Sequence, residues 1–184
     1  MSNKRVVADS SRCIGCQTCM AACLEVHNIP GNIAEPRLRL TTTYDVSAPV
    51  VCHQCEDAPC ARACPTGALY FDEPNRRIGV DVSKCIGCKG CVMACPFGAV
   101  RVTSQKRPVM MGNVQVGTES KSFVLKCDLC ADRPEGPACV SACPTNSLFE
   151  LDEEALEDLT RARELATTAA AADLDGMARS HAAL

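Results

Sequence analysis

The sequence has few of the side chains that usually fill a protein interior. Its 184 residues contain no tryptophan, two tyrosines and four phenylalanines. Aromatic side chains bury large apolar areas in ordinary globular domains, so this chain must fill its interior in another way. It also has no apolar run near the roughly 18 residues that cross a bilayer, and we expect no direct membrane insertion.

Several functional features are also missing. The formal net charge is -3, so nucleic acid is not an expected partner. The N-terminal segment MSNKRVVADSSRC has neither the apolar stretch nor the cleavage site of a secretory leader, which favours a cytoplasmic location. A Gly-rich phosphate loop and a nucleophile–base constellation are absent, and we expect no catalytic residue. Glu56 and Asp57 fit a solvent-facing turn better than an acid–base pair.

Cysteine, in contrast, is abundant, with sixteen residues. They form four groups with the spacing Cys-x2-Cys-xn-Cys-x3-Cys, and proline follows three of the groups. The third group is the bacterial ferredoxin run C-x2-C-x2-C-x3-C-P, in which three thiolates hold one iron–sulfur cluster and the fourth ligates another. The pattern therefore predicts four 4Fe-4S clusters whose ligands are Cys13, Cys16, Cys19 and Cys23; Cys52, Cys55, Cys60 and Cys64; Cys85, Cys88, Cys91 and Cys95; and Cys127, Cys130, Cys139 and Cys143.

Disulfides and zinc are the two rival interpretations of these cysteines. A disulfide framework is typical of small secreted domains, and the N-terminus does not suggest secretion. Structural zinc uses two Cys-x2-Cys pairs, or one pair with two histidines. Here a third and a fourth cysteine follow each pair closely, which favours iron–sulfur clusters.

The cysteine groups are arranged as an internal repeat. CIGCQTCMAAC at 13–23 matches CIGCKGCVMAC at 85–95, and the group that begins at Cys52 matches the one that begins at Cys127. The short segment between the second and third groups predicts a strand, a Pro-Asn turn and a second strand. We therefore expect the two middle groups to form one ferredoxin-like unit and the two outer groups to form another.

The predicted fold is α+β, a pseudo-twofold pair of bacterial-ferredoxin-like units built around four 4Fe-4S clusters, with a C-terminal helical tail. Strands are expected at 5–9 and 99–103, and the helix at Cys23 is expected to continue through Val26. The tail helix carries an apolar stripe that should pack on the body or on a neighbour, and Gly176 is expected to end the helix. The stripe consists of Ala155, Leu156, Leu159, Ala162, Ala166 and Ala169. The chain is predicted to divide into a body at 1–150 and a tail at 151–184. Within the body, a central unit covers 52–103, a second unit covers 1–51 plus 122–150, and a hairpin-like insertion covers 104–121.

Longer segments carry a family resemblance over residues 5 to about 150. They include ADSSRCIGCQTCMAACLEVH, PRLRL, SAPVVCHQCEDAPCARACP, CPFGAV, KCDLC and GPACVSACPT. Together they resemble the four-cluster electron-transfer subunits of formate hydrogenlyase and formate-dependent hydrogenase complexes. They are similar, more loosely, to iron–sulfur subunits of other molybdopterin oxidoreductases. The resemblance implies relay of single electrons between a molybdenum or tungsten formate dehydrogenase catalytic subunit and hydrogenase subunits, with other iron–sulfur subunits as further candidate partners.

The resemblance also implies a crossed ligation pattern, in which the fourth cysteine of each group serves a different group's cluster. The pairing expected from the internal repeat agrees with it. The implied sets are Cys13, Cys16, Cys19 and Cys143; Cys127, Cys130, Cys139 and Cys23; Cys52, Cys55, Cys60 and Cys95; and Cys85, Cys88, Cys91 and Cys64.

Other interpretations stay open at this point. A diffusible polyferredoxin would serve several enzymes through a small interface, and an iron–sulfur enzyme or cluster-donating factor would need an open iron site, for which no cysteine is missing. His27 and His53 are expected near clusters but not as ligands. Lys84, Lys89 and Lys126 flank cysteines; they are either solvated surface residues or residues that raise cluster potentials or dock an acidic partner.

Overall fold

The computed structural model describes residues 3–27 and 35–181, without the side chains of Arg107 and 173–181. The remaining residues of the predicted body and tail lie outside the described part. The elements are short apart from one hairpin and the last helix. In chain order they are β1 (Arg5–Ala8), α1 (Thr18–Val26), β2 (Arg39–Thr42), β3 (Ser47–Val50), α2 (Pro59–Arg62), β4 (Leu69–Asp72), β5 (Arg77–Val80), a 3-10 turn (Val82–Lys84), α3 (Gly90–Ala94), β6 (Arg101–Met111), β7 (Val114–Leu125), α4 (Ala138–Ser141), β8 (Leu148–Leu151) and α5 (Glu153–His181).

The strands form four antiparallel pairs, and two of these pairs frame the cysteine groups. β4 pairs with β5 across the predicted turn, where Asn75 Nδ2 donates to Asp72 Oδ2 at 2.8 Å. β1 pairs with β8, so that Arg5 lies opposite Leu151. The pairing of β1 with β8 joins the two ends of the predicted body, and the β4–β5 hairpin agrees with the sequence interpretation. The β2–β3 pair had no counterpart among the predictions.

The helices pack across the repeat in the same crossed manner. α1 packs against α4, and α2 packs against α3. Two apolar cores result. One surrounds Cys19, Cys127 and Leu148, and the other surrounds Cys60, Ile78 and Cys91. The two predicted units stay a prediction, because Cys52 of the middle segment packs in the core of the outer groups.

The backbone repeats its conformation where the sequence repeats. Gly15 and Gly87 occupy equivalent positions with φ of 71° and 76°, a left-handed region that glycine adopts without steric cost. A Cβ at Gly87 would also collide with the Ser122 side chain. These glycines therefore let the chain curl within the Cys-x2-Cys segments of the first and third groups.

The predicted insertion is part of a long hairpin. β6 and β7 pair from Arg101 opposite Leu125 to Met111 opposite Val114, with one shift of register between Val109 and Met110, and Gly112, with φ of 61°, lies in the turn. The hairpin therefore begins before residue 104. Its tip exposes apolar side chains, with Met111 72% and Val114 64% accessible.

The tail is helical as predicted, but two details differ. α5 continues through Gly176 to His181, so the prediction that this glycine ends the helix is wrong; a glycine costs an interior helix only about 1 kcal/mol. Most of the predicted apolar stripe is exposed, and only Ala155 and Leu156 are half-buried. Among the described residues, no helix combines the length and apolar character needed to cross a membrane.

Candidate metal centres

All sixteen cysteines lie in the described part of the chain, and none is joined in a disulfide. The third and fourth cysteines of each group stand four residues apart at a short helix, as Cys19 and Cys23 do on α1. Residues four apart lie on one helix face about one turn from each other. A single short helix can therefore present one thiolate to each of two neighbouring clusters.

Two of the implied ligand sets surround small cavities. One cavity is lined by Cys13, Cys16, Cys19 and Cys143 with largely apolar neighbours. The other is lined by Cys85, Cys88, Cys91 and Cys64. We name these the Cys13 set and the Cys85 set. Four sulfur donors around one apolar cavity suit a 4Fe-4S cluster, whose iron prefers thiolate ligands.

The other two implied sets contain cysteines that raise one another's pKa values. Burial raises the pKa of Cys60 to about 11, and Cys52 and Cys95 add to the rise. Burial also raises the pKa of Cys139, with contributions from Cys127, Cys130 and Cys23. We name these two groupings the Cys52 set and the Cys127 set. The Cys52 set consists of Cys52, Cys55, Cys60 and Cys95, and the Cys127 set consists of Cys127, Cys130, Cys139 and Cys23.

The four sets differ in exposure. The Cys13 and Cys85 sets each include an exposed cysteine, Cys16 and Cys88 respectively. Every member of the Cys127 set is buried, and the Cys52 set has two buried members. Cys52 is near enough to Cys127 to contribute to its raised pKa, as Cys19 is to Cys139. The exposed sets therefore flank an interior pair of sets.

Hydrogen bonds to sulfur support thiolates at several positions. The backbone N–H groups of Arg37, Gln54 and Ser147 donate to Cys23, Cys52 and Cys143 Sγ at 3.3, 3.4 and 3.3 Å. Donors aimed at a thiolate stabilise its negative charge. The same donors would reduce the charge on cluster sulfur, which tends to raise a reduction potential.

The pKa values predict that the clusters are less stable in acid. Burial raises the pKa of Cys127 to about 12 and that of Cys60 to about 11, so without iron these thiols keep their protons at neutral pH. Cluster loading releases those protons and becomes more favourable as pH rises. We expect a chelator corrected for its own pH dependence to remove more iron at pH 6 than at pH 8. Greater iron retention at pH 6 would contradict this expectation.

A charged network that the sequence did not indicate lies beside the Cys127 set. Asp128 pairs with Arg37 and lies 3.3 Å from His27 Nε2, which in turn is 3.4 Å from Cys130 Sγ. Burial lowers the pKa of His27, and Asp128 opposes that effect. Because Cys130 is already an expected cluster ligand, we assign His27 no metal; it is adjacent to a ligand, as predicted. The partners are about a hundred residues apart in the chain, so no local pattern reveals the network.

The other residues predicted to flank the cysteines differ in their exposure to solvent. Lys84 and Lys89 are exposed, whereas Lys126 is buried. His53 stacks on Phe97 with ring centroids 3.8 Å apart and an interplanar angle of 8°, near Cys55 on the surface.

Comparison with protein families identifies the cysteine groups. Residues 51–99 and 84–148 each match a 4Fe-4S dicluster domain, and residues 10–25 match a 4Fe-4S binding domain. The prediction of 4Fe-4S clusters from cysteine spacing is confirmed.

Whole-chain relatives are similar over most of their lengths. The electron transport protein HydN of Escherichia coli is 42% identical over 170 residues, which cover 86% of this chain and 93% of that protein. Hydrogenase-4 component A of Escherichia coli is 40% identical, with 84% and 85% covered. Formate hydrogenlyase subunit 2 of the same organism is 38% identical, with 89% of each chain covered.

Proposed function

The chain belongs to the 4Fe-4S ferredoxin-type family of electron-transport proteins, and on that premise we propose that it is the electron-transfer subunit linking a formate dehydrogenase to a hydrogenase. The names of two relatives, formate hydrogenlyase subunit 2 and hydrogenase-4 component A, support this assignment. We place the protein in the cytoplasm, where sixteen free thiols would stay reduced.

The arrangement of the four cysteine sets carries the proposal. The exposed Cys16 and Cys88 belong to sets that flank the buried pair, so a partner could exchange electrons at either end. Bound 4Fe-4S clusters supply one-electron acceptance and donation. The protein holds them in sequence and keeps water away from the interior pair.

We assign the ligands by the crossed sets. Each set takes three cysteines from one group and the fourth from another. The cavities lined by the Cys13 and Cys85 sets support the assignment, as do the raised pKa values within the Cys52 and Cys127 sets. With four cysteines available to each cluster, no iron site is left open for substrate, and we assign no catalytic residue.

The projecting elements are the candidate docking surfaces for the catalytic subunits. The tip of the β6–β7 hairpin exposes Val109, Met110, Met111, Val114 and Val116. On α5, Leu159 and Leu165 are 43% and 65% exposed. Exposed apolar side chains concentrated on projecting elements often mark protein interfaces. The proposed partners are a molybdopterin formate dehydrogenase subunit and hydrogenase subunits.

Oxygen-free purification of the chain from its own host, followed by mass spectrometry of co-eluting polypeptides, tests the assignment. We expect stoichiometric recovery of a molybdopterin subunit with a hydrogenase. Removing 153–184, or introducing Leu159→Glu, should leave the iron content unchanged and lower partner recovery about tenfold or more, equivalent to 1.4 kcal/mol or more of binding.

Thr160→Glu is the matched control, because it places the same charge on an exposed neighbour outside the apolar stripe. It should leave partner recovery near that of the unaltered chain. If the truncated chain recovers its partner subunits as well as the unaltered chain does, docking through α5 is excluded. Elution with full iron and no partner would favour a diffusible polyferredoxin, and a different molybdopterin subunit would redefine the substrate.

A further inference from the structure

Lys126 is the largest fully buried side chain in the described part of the molecule, with 1% of its surface accessible. Its Nζ donates to Ile78 O at 2.9 Å, Gln54 Oε1 at 3.1 Å and Cys127 O at 2.5 Å. A lysine ammonium has three protons to donate. These three acceptors therefore satisfy the ammonium form of the side chain completely.

The three acceptors are neutral, although a buried cation normally needs a compensating charge. In the described part of the chain, no carboxylate lies within ion-pairing distance of Nζ. Lys126 is bonded to Cys127, and its partner Gln54 lies between Cys52 and Cys55. The hydrogen bonds to Gln54 and Cys127 therefore place the ammonium group between the segments that carry the Cys52 and Cys127 sets.

The internal repeat shows that the fold does not require a cation at this position. Aligning the group at Cys52 with the group at Cys127 places Val51 opposite Lys126 and Gln54 opposite Leu129. Val51 is also buried, at 6% accessible, and both it and Leu129 belong to an apolar core. The two equivalent places in the repeat thus differ: one has the apolar residues Val51 and Leu129, and the other has the hydrogen-bonded Lys126 and Gln54.

We propose that Lys126 raises the reduction potentials of the two interior clusters held by the Cys52 and Cys127 sets. The inference rests on the proposed function, because it takes its ligand sets from there. Reduction adds a negative charge, which a buried site disfavours because water is excluded. A fixed positive charge between the two sites opposes that effect. Lys126 thereby keeps the interior pair reducible at potentials close to those of the exposed pair.

Redox titration of the purified holo-protein, followed by electron paramagnetic resonance, tests the role directly. In Lys126→Met we expect two of the four midpoint potentials to fall and the other two to stay within the reproducibility of the titration. Lys84→Met is the matched control. Lys84 also precedes the first cysteine of a group, but its side chain is 57% exposed and pairs with Asp81 at 3.0 Å. It should leave all four potentials unchanged.

A double variant tests the same proposal in case Lys126→Met does not fold. Gln54→Leu with Lys126→Val installs the side-chain types that the repeat already has at Leu129 and Val51. It should retain its iron and lower the same two potentials. Four unchanged potentials in an iron-replete variant would overturn the role of Lys126, as would an equal fall in all four. Iron analysis of the unaltered chain is a separate readout, because fewer than about sixteen irons would contradict the proposed four-cluster function instead.

Discussion

Removal of iron by a chelator under reducing conditions should unfold the body of the protein. The buried residues of its two larger cores are cysteines and aliphatic side chains, and eight of the sixteen cysteines are buried. The body strands other than those of the long hairpin are four residues long, and isolated hairpins are at most marginally stable. Without metal, the buried thiols would face one another across empty cavities, so cluster binding and folding form one equilibrium.

Hydrogen exchange resolved by segment is the suitable measurement. We expect the protected amides of β1, β4, β5 and β8 to lose at least about a thousandfold in protection, because folded domains are usually stable by about 5 kcal/mol or more. α5 provides an internal control. Most of it is exposed, so its exchange should change little when the body unfolds.

Reconstitution of the iron-free chain with iron and sulfide should restore protection in the body. Substitution by zinc should not, because one zinc ion occupies far less space between four cysteines than a cubane does. An iron-free body that keeps its protection would contradict the view that the clusters replace an aromatic core.

The second large effect concerns the crossed ligands, which can be tested by counting intact cubanes in double variants. If Cys64 and Cys91 serve the same cluster, Cys64→Ala with Cys91→Ala should leave three intact cubanes by Mössbauer spectroscopy, as each single variant does. Cys60 and Cys64 belong to one sequence group but to different sets. Their double variant should therefore leave two intact cubanes.

Local ligation within each group predicts the reverse result. The Cys60 and Cys64 double variant would then keep three cubanes, and the Cys64 and Cys91 double variant would keep two. The other end of the chain offers an independent repetition. Cys19→Ala with Cys143→Ala should leave three, and Cys139→Ala with Cys143→Ala should leave two. Reversed counts at either end would reject the crossed assignment there.

Local patterns predicted the parts of the fold that depend on few neighbours. The β4–β5 hairpin follows from its turn residues, and the long hairpin from Gly112 and Asn113, because a turn is encoded by the residues that form it. α1 continues to Val26 because Leu24 stands where the other three groups have proline. The prediction of 4Fe-4S clusters needed only cysteine spacing, since each group places its cysteines in one short run.

Other features were beyond local inference. The β2–β3 pair was missed because its strands have no strong turn motif between them, and the end predicted at Gly176 was wrong because an exposed helix tolerates a glycine. His27, Asp128 and Arg37 meet only through folding. None of these outcomes is encoded in the spacing of neighbouring residues.

The sequence by itself determined the cofactor type, the family and the β4–β5 turn, because cysteine spacing and turn formation act over a few residues. Only the tertiary structure decided burial. Lys84 and Lys126 occupy the same position before a cysteine group, yet one is solvated and the other has 1% of its surface accessible. Burial depends on which distant segment covers a side chain; here Gln54 and Ile78 cover Lys126, and this contact brings its charge between two candidate cluster sites.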